Sequence, residues 1–165
     1  MAHFVSTSPQ QFAVHFATKS WLLLAAKTNT PFIIGDNPVV MQNLPDADGL
    51  RGTLGLAVQG IEIYLPLSPR RALAFWCPSH LDRFRAWAAT TTNPTEEAFA
   101  LEVISSLEHG GPLQYREPEV LNFNSLQIVF AERFLFSALN DFSVAEEMIA
   151  KHPGLRGGPR PIVVS

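Results

Sequence analysis

The residues of this chain best suited to chemistry lie in a short turn between two apolar runs. The segment Phe32-Ile-Ile-Gly-Asp-Asn-Pro-Val-Val40 places Asp36 and Asn37 just before Pro38. Functional side chains are often carried by such turns at the end of a sheet. A carboxylate there could act as a general base, or could bind a metal ion together with further carboxylates. Asp and Asn also accept hydrogen bonds from nearby backbone amides, so a structural role is the competing interpretation.

A second polar segment follows at residues 64–71, which read Tyr-Leu-Pro-Leu-Ser-Pro-Arg-Arg. Ser68 could supply a hydroxyl and Arg70 a guanidinium to a phosphate or carbonyl substrate. An ordinary Ser-Pro turn explains the same residues. The chain contains no glycine-rich phosphate loop, no zinc-protease pattern and no nucleophile elbow, so the sequence leaves the catalytic residues unknown.

A third polar group lies on a predicted central helix at about residues 118–133. Asn122, Ser125 and Arg133 are spaced so that they share one stripe of a helix that is otherwise apolar. Buried polar groups need hydrogen-bond partners. We therefore expect Asn122 and Arg133 to be at least partly buried and bonded to the Asp36 turn or to the 66–69 loop.

Helix caps and apolar runs organise the rest of the chain. Capping residues, with proline at two helix starts, predict four further helices, at 9–19, 80–90, 94–109 and 144–152. Short apolar runs between turn residues predict strands at 21–26, 32–34, 39–41, 61–65, 72–76 and 134–138. The expected fold is α+β, with a single small sheet of about five strands, mostly antiparallel or mixed, packed by about five helices. Residues 43–60 show no period and are interpreted as a mobile loop or lid.

The composition limits the class of protein. With 165 residues, 47% of them hydrophobic, the chain can form one core, so we predict one domain over 1–165 with a Gly/Pro-rich tail at 153–165. The single cysteine, Cys77, cannot form an internal disulfide and is predicted to be a buried structural thiol. This cysteine usage indicates the reducing cytoplasm. No Cys/His cluster predicts a metal site, and we expect no cofactor.

Charge and apolar content bear on the partners. The net charge is −3, and the charged residues are scattered along the chain, which disfavours a nucleic-acid partner. No apolar run reaches the roughly twenty residues that cross a membrane. Twelve phenylalanines and three tryptophans exceed what a core of this size needs. We therefore expect a homo-oligomer or a protein partner, bound through Phe12 and Phe16 on the first helix and through Trp87.

The motifs, in their order along the chain, resemble the bacterial DUF4238 family, whose function is unknown. That family carries a Ser-Asp-Asn-Pro-Val signature, a later Pro-Leu-Ser-Pro signature, and an asparagine before a helix that ends near an arginine. The resemblance covers roughly residues 21–140, from Trp21 to beyond Ala131-Glu-Arg-Phe134. Gly35 stands where the family favours serine, and the family's N-terminal His/Tyr/Pro region is not seen, so we expect a truncated or divergent member. The resemblance implies a shared fold and shared motif positions, and it supplies no reaction.

Two classes of function stay open from the sequence. The leading hypothesis is a cytoplasmic protein-interaction or ligand-binding module in a phage or bacterial defence context, with a small molecule as a further ligand option. The alternative is a small hydrolase or nuclease-like enzyme in which Asp36 acts with Asn37, Ser68 and either Arg70 or Arg133. The direction of the Asp36 carboxylate, into an open pocket or onto backbone amides, distinguishes the two classes.

Overall fold

The computed structural model of this chain describes residues 12–43 and 54–157. Most of the predicted lid at 43–60, the first residues of the predicted helix at 9–19 and the end of the predicted tail therefore lie outside the described residues. The first five residues of that tail form a short 3-10 helix, Pro153–Gly157.

Five α-helices occur in the described part of the chain, where the sequence predicts them. They are α1 (12–17), α2 (Ser79–Thr90), α3 (Pro94–His109), α4 (Glu117–Phe130) and α5 (Ser143–Lys151). Local signals explain the bounds of α3. The Asn93 side chain accepts a hydrogen bond from the Thr95 amide at 2.9 Å, and Gly110 follows the helix with a φ of 78°. Helix α4 ends at Phe130, three residues before the predicted end at Arg133, because the backbone becomes extended at Ala131.

Seven strands form two sheets in the described chain. They are β1 (Ser20–Ala26), β2 (Ile34–Gly35), β3 (Val40–Asn43), β4 (Ile61–Ser68), β5 (Arg71–Trp76), β6 (Pro112–Tyr115) and β7 (Leu135–Phe136). A five-stranded mixed sheet has the order β3-β4-β5-β1-β6, and β2 pairs with β7 in a small two-stranded sheet. The α+β class is confirmed. The small sheet and strand β6 are features that the sequence did not predict.

Strands β4 and β5 are neighbours in the five-stranded sheet and form an antiparallel hairpin. Strand β4 ends at Ser68 and β5 begins at Arg71, so Pro69 and Arg70 form a two-residue turn. A connection this short joins antiparallel neighbours. The second polar segment of the sequence therefore forms the tip of a hairpin.

Residue contacts divide the described chain into two compact units. The first contains residues 12–22, 41–43, 54–63 and 74–113, and the second contains 23–40, 64–73 and 114–157. The expectation of one domain over 1–165 stays a prediction. None of the helices within 12–43 and 54–157 is long and apolar enough to cross a lipid bilayer.

The first unit is built around aromatic side chains and a buried polar pair. Trp76 stacks on Phe84 with ring centroids 5.8 Å apart, and Phe84 meets Phe99 of α3 edge-on. His80 is buried with its Nε2 atom 3.0 Å from the Gly60 carbonyl oxygen and 3.4 Å from a carboxylate oxygen of buried Glu62.

The residues proposed for self-association also lie in the first unit. Phe12 is 47% exposed, whereas Phe16 is half-buried against Phe75 at a ring distance of 5.2 Å. Trp87 is half-buried and packs against Phe84. Of the three side chains named for a partner surface, Phe12 is therefore the most open.

The second unit packs around α4. Phe123 of this helix lies fully buried against Phe32 and Tyr64, with ring centroids 4.7 and 5.5 Å away. On its other side, Ile128 packs with Ile33 and Ala145 of α5. The central position predicted for this helix is correct, and it places α4 beside the Asp-Asn-Pro segment.

Candidate functional site

Two buried carboxamides on α4 hold the segment that precedes Pro38. The Asn124 side chain accepts from the Ile33 amide at 3.0 Å and donates to the Pro31 carbonyl at 2.9 Å. Gln127, one helical turn later, accepts from the Gly35 amide at 2.9 Å and donates to the Pro38 carbonyl at 3.0 Å. Side chains three residues apart share a helix face, so the pair satisfies the backbone much as a neighbouring strand would.

The other edge of the same segment pairs with β7. Ile34 faces Phe136 and Gly35 faces Leu135 in antiparallel register, and the Asp36 amide donates to the Phe134 carbonyl at 3.0 Å. The amides of β2 thus alternate between the helix and β7. This double anchoring fixes the position of Asp36 at the end of the small sheet.

The Asp36 carboxylate binds backbone amides just after α4. One oxygen accepts from the Glu132 amide at 2.8 Å, and the other accepts from Arg133 at 2.9 Å and Phe134 at 3.3 Å. Desolvation raises the pKa of Asp36. These hydrogen bonds and one from its own amide lower the pKa by more than desolvation raises it, so the pKa lies below the ordinary 3.8. The charged carboxylate therefore stabilises the turn that ends α4, which is the structural interpretation of this residue.

Gly35 permits the close approach of β2 to α4. A Cβ atom at this position would lie 3.2 Å from the Ala131 Cβ and 3.2 Å from the Gln127 carbonyl oxygen. Such contacts are tighter than a packed interior accepts without a shift. The absence of a side chain thus lets the Gln127 carboxamide reach the backbone of β2.

The remaining turn residues of the candidate site bond to backbone groups of the fold. The Asn37 side chain donates to the Phe130 carbonyl at a long 3.5 Å. The Ser68 hydroxyl accepts from the Arg70 amide at 3.3 Å, and the Arg70 guanidinium donates to the Thr28 carbonyl. The Ser68 bond is a turn contact and the other two are tertiary contacts, and together they give these polar residues partners within the fold.

The expectation that Asn122 and Arg133 are at least partly buried is wrong, because both residues are exposed. Arg133 does bond to Asp36, but through its backbone amide. The polar groups of α4 that face inward are instead Asn124 and Gln127, which are 3% and 0% exposed. Their spacing of three residues is shared by Asn122 and Ser125, and apolar residues surround most of the helix, so no sequence signal selects this pair.

The six candidate residues consequently fall into three groups. Asp36, Asn37 and Arg133 lie at the turn after α4, Ser68 and Arg70 lie at the hairpin tip, and Asn122 lies on the exposed side of α4. In the ranges 12–43 and 54–157, no group of three His, Cys, Asp or Glu side chains is placed to hold a metal ion.

An apolar groove joins the two motif segments, which are residues 32–40 and 64–71. We call it the motif groove, and its volume is about 240 Å³. It is lined by Phe32, Ile34, residues 66–69 and residues 136–138. The Phe32 amide donates to the Pro69 carbonyl at 3.0 Å, which holds the hairpin tip beside β2. Of the lining residues, Leu67 and Phe136 are 53% and 56% exposed, so the groove opens on an apolar surface.

Two smaller cavities lie elsewhere in the second unit. One, of about 200 Å³, lies between the Asn29–Pro31 loop and the start of α5 and is lined by Asp141 and Ser143. The other, of about 220 Å³, lies beside Arg133 and Leu155. Neither is lined by Asp36, and neither is lined by Ser68.

Cys77 is half-buried, so the prediction of a buried thiol is wrong. Burial raises the pKa of this thiol, but the Ser79 hydroxyl, the backbone of Gly60 and Ser79 and the charge of Lys19 lower it more, so the pKa lies below its ordinary value. The Ser79 hydroxyl donates to the Sγ atom at 3.2 Å.

Comparison with known proteins identifies a family without an activity. No curated protein and no solved structure shows significant similarity to this chain. The sequence pattern of DUF4238, described as a protein of unknown function, matches residues 1–141 of the 165. The match covers both motif segments, the whole of α4 and strand β7. This chain therefore belongs to the DUF4238 family of proteins of unknown function.

Proposed function

We propose that this protein is a cytoplasmic protein-interaction module that binds a segment of a partner protein in the motif groove. The observation that carries the proposal is the groove itself: an open, apolar surface formed by the Pro-Leu-Ser-Pro hairpin tip and the β2–β7 pair. Apolar surface of this kind gains free energy when a partner removes it from water.

The size of the groove favours a protein partner over a small ligand. Pockets that enclose drug-sized ligands measure about 300–1,000 Å³. The motif groove, at about 240 Å³, is smaller and shallow, with Leu67 and Phe136 open to water at its rim. A groove of this kind suits one or two side chains of a bound peptide.

The chemistry of the polar residues also supports binding. A general base takes a proton from its substrate, but the Asp36 carboxylate accepts three backbone amides, and its lowered pKa makes it a weak base. Asp36 does not line the motif groove, and the Ser68 hydroxyl accepts from the Arg70 amide. The motif residues are thus accounted for by the fold, and the surface that they build is apolar.

The cytoplasmic location is part of the proposal and rests on Cys77. A half-buried free thiol with a lowered pKa is readily oxidised outside a reducing compartment. A reducing cytoplasm keeps such a thiol in the free form.

A display experiment with a matched pair of variants tests the proposal. Random peptides are selected on the wild-type protein, and their affinities are then measured on Phe136→Ser and Phe134→Ser. Both phenylalanines are more than half exposed, but only Phe136 lines the groove. Losing one apolar anchor of about 1.5–3 kcal/mol should weaken binding by roughly 10-fold to 150-fold in Phe136→Ser. Phe134→Ser should change it less than about threefold.

Folding and self-association are measured on the same proteins. Equal melting temperatures of the two variants show that lost binding is not lost structure. Selection of no specific peptide, or affinities that Phe136→Ser leaves unchanged, would refute the proposal. A dimer seen by light scattering and abolished by Phe136→Ser would identify a second copy of the chain as the partner segment.

A further inference from the structure

We infer that the segment bound in the motif groove is an extended acidic peptide, in which a large apolar side chain enters the groove and flanking carboxylates pair with Arg70 and Arg71. This inference rests on the proposed function and names the chemistry of the partner. It is argued from the charges at the hairpin tip and from the free edge of β7.

Two exposed arginines, Arg70 and Arg71, directly follow Pro69 in the chain, and Pro69 lines the groove. The Arg70 guanidinium donates to the Thr28 carbonyl, and the Arg71 guanidinium donates to the Arg70 carbonyl at 3.1 Å. A guanidinium has five N–H donors, so each retains donors for a further acceptor.

Within the described residues, neither of these guanidiniums forms an ion pair. By comparison, Arg85 pairs with Glu108 and Arg116 pairs with Glu119. The residues that line the groove include no charged side chain. An apolar groove followed in the chain by two exposed arginines, which form no ion pair among the described residues, is complementary to an apolar segment with acidic flanks.

The backbone of β7 favours an extended partner. Because the Asp36 amide bonds to the Phe134 carbonyl, the backbone groups of Phe134 and Phe136 face β2. Those of Leu135 and Ser137 point to the opposite side, where no strand of the described chain pairs with β7. A strand edge that lacks a partner strand, beside an apolar groove, is the arrangement that binds added peptide strands.

Three fluorescein-labelled peptides provide the probes. The first has a central Leu-Phe-Val flanked on each side by three glutamates. The second carries lysines in place of the glutamates, and the third keeps the glutamates but has serines at the centre. Binding is measured by fluorescence polarisation to the wild-type protein and to Phe136→Ser, Arg71→Glu and Arg83→Glu. Arg83 is the matched control, because it is an exposed arginine of α2, outside the groove.

We expect the glutamate peptide to bind the wild type about threefold to tenfold more tightly than the lysine peptide, the range that one or two surface ion pairs give. Arg71→Glu should remove that preference, whereas Arg83→Glu should keep it. The preference should also fall as salt is raised, because exposed charges are screened. The serine-centred peptide should bind weakly to every variant.

The outcomes separate the two proposals. Equal binding of the glutamate and lysine peptides, both lost in Phe136→Ser, would overturn the acidic partner and leave the interaction module standing. Binding of no peptide to the wild type would overturn both. Displacement of the glutamate peptide by decanoate at equal concentration would show that an anionic amphiphile suffices, and would likewise overturn the peptide assignment.

Discussion

Replacing Gln127 with methionine tests the central structural claim, that a helix side chain stands in for a strand. The Gln127 side chain is fully buried, accepts from the Gly35 amide at 2.9 Å and donates to the Pro38 carbonyl at 3.0 Å. Methionine is similar in length and volume, so the core stays filled. The variant therefore removes two hydrogen bonds and little packing.

The expected loss follows from what remains buried. The Gly35 amide would lie without an acceptor in the interior, which costs about 1–3 kcal/mol, and the bond to the half-buried Pro38 carbonyl contributes about 0.5–1.5 kcal/mol more. We expect the free energy of unfolding to fall by roughly 2–4 kcal/mol. This is a large share of the total free energy of unfolding of an ordinary domain, which is about 5–15 kcal/mol. The melting temperature of a chain of this size should fall by roughly 5–15 °C.

Urea unfolding at constant m-value measures this change. Gln59→Met is the matched control, because Gln59 is exposed, and it should leave the free energy within about 0.5 kcal/mol of the wild type. A Gln127→Met variant as stable as the wild type would refute the reasoning.

The remaining predictions concern the same segment. Gly35→Ala should lower the free energy of unfolding by about 1–3 kcal/mol, because the new methyl would lie 3.2 Å from the Ala131 Cβ. Ala131→Gly should recover part of that loss in a double-mutant cycle, and strict additivity would contradict the contact. Asp36→Asn should lower the melting temperature at neutral pH. Because the pKa of Asp36 is lowered in the folded state, its stabilisation is present above 3.8 and is lost as the pH falls through the lower folded-state value, so wild type and variant should converge in acid. A difference that stays constant from neutral pH into acid would refute this assignment.

Local patterns predicted most of the elements because their signals are contained in a few neighbouring residues. The Asn93 cap with Pro94 sets the start of α3, and Gly110 sets its end. Strand β6 was not predicted, because Pro112–Tyr115 is short and begins with a proline. Its position is fixed by pairing with β1, which no local pattern reports.

The inward face of α4 could not be read from the sequence. Apolar residues surround most of this helix, so periodicity selects no single face. The choice of the stripe through Asn122 was therefore wrong, and the packing of Phe123 against Phe32 and Tyr64 turns Asn124 inward instead.

The sequence by itself determined the α+β class, the position of each motif and the membership in DUF4238, because these depend on residue types and their order. Only the tertiary structure decided what the motifs do. The amides that Asp36 binds begin 96 residues later in the chain, at Glu132, and the carboxamides that hold β2 come from α4. Partners so distant are chosen by the packing of the whole unit, which brings α4, β2 and β7 together and leaves the motif groove open beside them.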